Sequence, residues 1–191
     1  MTEGQEFRGG TLLGGVRNDP IEVVPWDPNW EPMFEGMRAR LARSLGDRAV
    51  RIDHVGSTAI PGIPAKPIVD IQVSVPDVED TDAYRAAIEE NGLALRFIEA
   101  GHRYLRPPPG TPRDHQVHVC QVGSQWERDH LLFRDFMRAH PGEAAEYGRL
   151  KMRIADRRRN ERITYNDEKQ PFILAVLEAA EDWARKTGWS P

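Results

Sequence analysis

The chain has 191 residues, 39% hydrophobic and 29% charged, with a formal net charge of −4. That length suits one domain with a core that needs no staples, and the acidic balance argues against coating nucleic acid through bulk charge. A lone cysteine, Cys120, excludes an internal disulfide and a CxxC metal site, and no apolar run reaches the roughly 18 residues that cross a bilayer. The first twenty residues hold no apolar block of the secretory kind, so a cytoplasmic protein without membrane contact is expected.

Residues 1–20 read as a flexible tail, because Gly4, Gly9, Gly10, Gly14 and Gly15 break any periodicity and Asn18-Asp19-Pro20 is turn chemistry. Residues 21–188 then form one domain. Ile21 to Val24 reads as an edge strand. Asp27-Pro28 supplies an N-cap and a Pro at N1. Met33, Met37, Leu41 and Leu45 follow at spacing four, one buried face of a helix ending near Gly46. Val50 to Val55 predicts a strand, and a loop from Gly56 to Pro64 follows. Ile68 to Val75 is the clearest strand. Alternation puts Val69, Ile71, Val73 and Val75 on one face and Asp70, Gln72 and Ser74 on the other.

A helix is predicted over Thr81–Asn91 and strands over Leu93–Ile98 and Tyr104–Arg106. The prolines from Pro107 to Pro112 mark a turn. Gln116 to Val122 reads as a strand with Val117 and Val119 opposite Gln116, His118 and Cys120. Ser124 and Glu127 make a capping box for a helix to about Ala139, which Pro141 closes. Helices follow over about 143–158 and 167–186. In the last, Phe172, Val176, Ala179 and Trp183 form the buried stripe and Pro171 falls in the first turn. The order predicts an α+β fold: a mixed β-sheet flanked by helices, with C-terminal helices.

A strand running into Gly56-Ser57, with Asp70 on a later strand, can serve anion chemistry. Glycine admits close approach to a phosphate, successive amides make an anion nest, and a nearby acid can hold Mg²⁺ against it. The bland alternative is a plain turn. An isolated Asp in a Val/Ile strand weighs against that, since burying an unpaired charge is costly.

The stretch His54-Val55-Gly56-Ser57-Thr58-Ala59-Ile60-Pro61-Gly62, with Ala65 to Ile71, resembles the GrpB family, also called UPF0157. Gln116 to Val119, His130 to Asp135 and Lys169 carry the same resemblance. It spans about residues 20–185. The family is similar to the nucleotidyltransferase-fold superfamily, which implies a nucleotidyltransferase-like sheet, a nucleoside triphosphate as ligand and a divalent metal, Mg²⁺ or Mn²⁺. The resemblance places Gly56, Ser57 and Thr58 in the nucleotide loop. It places Asp70, Gln72 and His118 at the positions of three metal-holding, catalytic carboxylates. Two of the three are not carboxylates here. An amide and an imidazole make a poor Mg²⁺ cage, and a His ligand favours Mn²⁺ or Zn²⁺.

Lys66, Arg103, Tyr104, Arg134 and Lys169 are the candidates to complete a phosphate pocket, with Arg128 and His130 near them. A run from Arg149 to Arg162, including Lys151, reads first as a solvated basic helix face. RNA contact is the less favoured use, because no aromatics interleave it. Two functions follow. One is an enzyme transferring a nucleotidyl group to a small unidentified acceptor. The other is a binding module for a nucleotide or other phospholigand, with a degenerate metal site.

Overall fold

The computed structural model of the chain describes residues 4–7, 9–13 and 20–191. In chain order the elements are β1 (Gly4–Phe7), β2 (Gly10–Leu13), α1 (Trp30–Leu45), β3 (Arg51–Val55), β4 (Val69–Val75) and α2 (Thr81–Glu89). Then come β5 (Ala94–Glu99), β6 (His102–Arg106), β7 (His115–Gln121), α3 (Gln125–Ala139), α4 (Pro141–Arg157) and α5 (Arg162–Thr187). The strands form one mixed sheet in the order β1-β2-β5-β6-β7-β4-β3. β4 and β7 run parallel, and the other neighbours antiparallel.

Alternation builds two unlike faces. Val69, Ile71, Val73 and Val75 of β4 join Leu105, Val117 and Val119 against Phe34, Met37, Leu41 and Leu45 of α1 and Ile88 of α2. Each fully buried aliphatic side chain contributes about 1.5–3 kcal/mol. The opposite face carries Asp70, Gln72, Gln116 and His118, because Asp70 pairs with Gln116 and Gln72 with His118. Tyr104 extends that row across the sheet by pairing with His118. A second apolar cluster, including Leu132, Phe136, Met137, Tyr147, Val176 and Ala180, holds α3, α4 and α5 together.

The observed elements depart from the expectations in four places. Within the stretch read as a tail, β1 and β2 pair as a hairpin that docks on β5, while residues 1–3, 8 and 14–19 lie outside the described residues. Ile21 to Val24 makes a single bridge, Val24 to Ala65, rather than a strand. Pro141 opens α4 at its first turn, where no N–H is needed. α5 begins at Arg162, so Pro171 lies inside it on the exposed side, where water can serve the backbone. Its buried stripe accordingly runs through Val176, Ala180 and Ala184, and Ala179 faces out. Among the described residues no helix is long and apolar enough to cross a membrane.

Candidate functional site: a lysine-lined cavity beside Asp70

β3 runs into Gly56, whose φ of 68° is a left-handed conformation that suits glycine. A β-carbon there would overlap Asp70 Oδ2 and stand 3.0 Å from Asp70 Cβ and Cγ. The loop backbone therefore lies directly on the Asp70 carboxyl group. Asp70 Oδ1 accepts a hydrogen bond from the Gln116 amide, and His118 Nε2 stands 3.7 Å from the same oxygen. Gln116 is fixed in turn, its Oε1 accepting from Tyr104 Oη at 2.5 Å and Arg113 Nη2 at 3.1 Å. Burial opposes the Asp70 charge, but His118, Gln116 and the Lys66 charge outweigh it and hold the carboxyl below its ordinary range.

Behind Asp70 runs a chain of imidazoles. His118 Nδ1 is 2.9 Å from His102 Nε2, and His102 Nδ1 is 2.8 Å from Glu99 Oε1. Burial, then the neighbouring histidines, drive the His102 pKa down to about 2, so that ring is neutral. A neutral His102 gives its Nδ1–H to Glu99 and accepts from His118 Nδ1–H through Nε2. That order leaves His118 Nε2 facing Asp70. Trp126 stacks on His102 at 4.7 Å and on His130 at 3.7 Å, which fixes the rings.

The cavity in front of Asp70 measures about 550 Å³ and is rich in cations. Lys66, Lys151, Lys169, Arg113 and Arg162 are among its lining residues, and the acids there are Asp70 and Glu99. Lys151 is 2% exposed, and its Nζ has no hydrogen-bond partner. It lies 4.6 Å from the Tyr147 ring centroid, while Lys66 and Lys169 each stand 4.7 Å from that of Tyr165. Burial first, then the charge of Lys169, lowers Lys66 to about 7 and Lys151 to about 6; burial lowers Lys169 to about 8, with Asp70 opposing the shift and Arg162 adding to it. Phe7, Leu12 and Phe97 give the same cavity an apolar wall.

The predicted site residues divide. Ser57, Asp70, His118, Lys66, Tyr104 and Lys169 all line this cavity, and Gly56 lies against Asp70. Burial pushes the Tyr147 hydroxyl up to about 12, and Ser57 partly offsets the rise. Thr58 also lines the cavity, but its hydroxyl sits 3.0 Å from His54 Nε2 and 3.4 Å from the Ile68 carbonyl oxygen. Arg103 does not reach the site. Alternation along β6 sends His102 and Tyr104 to the polar face and Arg103 to the other, where it bonds Glu79 at 2.5 Å and Thr81 at 2.9 Å. Arg134 is engaged by Asp135 and the His54 carbonyl. Gln72 is wholly buried, with neither amide atom bonded, and lines neither this cavity nor the smaller one beside it.

The donor set does not fit the divalent metal expected from the sequence resemblance. Asp70 Oδ1 already accepts from Gln116, Gln72 is sealed away, and the Lys66 charge reaches Asp70. A dication would meet repulsion from the lysines, with Asp70 in support and Glu99 already engaged by His102. Among the described residues no three His, Cys, Asp or Glu side chains group as metal ligands.

Lys151, Arg113 and His102 line the cavity without being candidates from sequence. Lys151 had a signal: it occupies an apolar position on the α4 stripe of Ala144, Tyr147, Ile154 and Ala155. His102 had one too, two positions before Tyr104 on a strand.

A mixed-sheet α/β protein with a cationic cavity on its polar face is the class that fold and site define. The family profile described as GrpB protein matches residues 20–179, and the chain belongs to the GrpB family. A UPF0157 protein of Streptomyces coelicolor is 36% identical over 88% of this chain and 89% of its own. A dephospho-CoA kinase of Mycolicibacterium paratuberculosis is 30% identical over 92% of this chain, which spans 50% of that protein. The crystal structure of the conserved protein GrpB from Enterococcus faecalis superposes with a TM-score of 0.75 at 31% identity, covering 85% of this chain and 99% of that one. A cytoplasmic RNA terminal U-transferase superposes over 63% of this chain and 38% of its own at a TM-score of 0.44 and 16% identity, too loose a likeness to bear on function.

Proposed function

We propose that the protein binds a phosphorylated small molecule, a nucleoside polyphosphate, in the lysine-lined cavity. The observation that carries this reading is Lys151 Nζ, buried at the cavity wall without a hydrogen-bond partner. An unpartnered buried amine is costly, and an anionic oxygen in the cavity would satisfy it. Lys66 and Lys169 beside it suit several such oxygens, and the apolar wall of Phe7, Leu12 and Phe97 suits a base. The volume falls within the roughly 300–1,000 Å³ usual for small-molecule sites. A metal-assisted nucleotidyl transfer has less support, because the donor set around Asp70 is cationic.

Isothermal titration with ATP, GTP, CTP and UTP, each in Mg²⁺ and in EDTA, tests the reading. The expected result is saturable binding that persists in EDTA and weakens at least tenfold in Lys151→Met. Absence of binding by all four, or binding indifferent to that substitution, would overturn it.

A further inference from the structure

The large cavity does not end at Asp70. A second cavity of about 260 Å³ meets it there, and Ser57, Asp70, Gln116, His118 and Lys169 line both. The remaining walls of the small cavity are of another kind. Val55, Phe133, Ile173 and Leu177 line it with the ring of Tyr147, and Asp129 and His130 stand among them. Burial lowers His130 to about 4, so it adds no charge at neutral pH. An apolar-walled chamber of this size disfavours a second polyanion. It suits a compact, largely apolar molecule whose polar end points to the junction.

The junction is where acid–base chemistry is built. His118 Nε2 and Asp70 Oδ1 stand 3.7 Å apart between the two chambers. Glu99 and His102 act behind them as positioning residues, since their hydrogen bonds commit His118 Nδ1 and leave Nε2 facing the chambers. We propose that the small cavity seats an alcohol acceptor with an apolar body, and that His118, with Asp70, takes its proton while it attacks a phosphoanhydride held in the large cavity. This rests on the reading of the large cavity given above.

The step balances without a metal. The acceptor oxygen forms a bond to phosphorus, and the bridging P–O bond opposite it breaks with its electron pair. The leaving phosphate or nucleotide carries that charge, which the Lys66 ammonium group offsets. The acceptor proton passes to His118 Nε2, and Asp70 stabilises the imidazolium.

Benzyl alcohol and ATP are the probes. NMR of the wild-type protein should show benzyl alcohol shifting the amides around Leu177. Leu177→Trp, or the milder Leu177→Phe, should abolish those shifts and leave the ATP titration unchanged. With both probes present, ³¹P NMR should show a benzyl phosphoester forming as ATP is consumed. His118→Asn should slow that at least a hundredfold while both ligands still bind. Three results overturn the proposal. One is ATP binding without Leu177-dependent shifts; another is binding of both probes without ester. The third is an ester rate that His118→Asn leaves unchanged. Leu177-dependent shifts without ATP binding would instead overturn the reading of the large cavity, and the transfer with it.

Discussion

The backbone of Gly56 lies directly on the carboxyl group of Asp70, close enough that a β-carbon at position 56 would overlap Oδ2. This contact fixes the loop of Ser57 relative to the polar face of the sheet. Gly56→Ala would add that overlap to the strain of an alanine at φ 68°. The expected loss is about 2–4 kcal/mol of stability, read by urea denaturation, with ATP binding lost alongside. An unchanged midpoint would show that loop and acid can separate freely.

Lys151→Met should have the opposite effect on stability. The substitution keeps the length of the side chain and removes an amine that is 2% exposed and unpartnered. Removing an uncompensated buried polar group should stabilise the ligand-free protein by about 1–3 kcal/mol, a rise of a few degrees in Tm. The same variant should lose ATP affinity. A gain in stability with a loss of binding separates a ligand site from a structural lysine, whose removal would lower both. Thermal melts of the two proteins with and without ATP read this directly.

Much of the fold is legible in the sequence because β4 and β7 alternate cleanly, which puts Asp70 and His118 each on the polar side of its strand. The hairpin was not legible, because Gly10 reads as a breaker. Its glycine serves close approach instead: a β-carbon there would run into the Phe97 ring and stand 2.6 Å from the Ile98 carbonyl oxygen. The site was half legible. Ser57, Asp70, Lys66 and Lys169 announced themselves in loops or isolated positions. Lys151 was hidden inside a run of surface arginines, where composition masked the helical stripe that buries it. Arg103 misled, since a cation beside Tyr104 on a strand must point the other way.

The lysines also set a pH dependence. Lys66, Lys151 and Lys169 titrate near 7, 6 and 8 in the folded protein, below the ordinary lysine value of 10.5. Between those values and 10.5 the unfolded chain binds more protons than the folded one. Stability of the empty protein should therefore rise with pH from about 6 to about 10. ATP reverses the balance, because its phosphates favour charged lysines. Binding at pH 8, if it charges all three lysines, should take up about two protons and weaken as pH rises. Titrations in buffers of different ionisation enthalpy measure that uptake, and proton release or a flat pH profile would contradict it.

Gln72 decides between the metal and metal-free readings of the face. As a ligand position it would have to present its amide oxygen beside Asp70, and Gln72→Leu would then abolish any Mg²⁺ or Mn²⁺ effect along with nucleotide binding. In the structure its amide is wholly buried and bonded to nothing, and it lines neither cavity. Leucine has nearly the same volume and no polar atoms to desolvate. The variant should therefore be as stable as the wild type or more so, by about 1–2 kcal/mol, with ATP affinity unchanged within a factor of two. Denaturation and isothermal titration of the purified variant give both readings, and a tenfold loss of affinity with stability retained would restore Gln72 to the site.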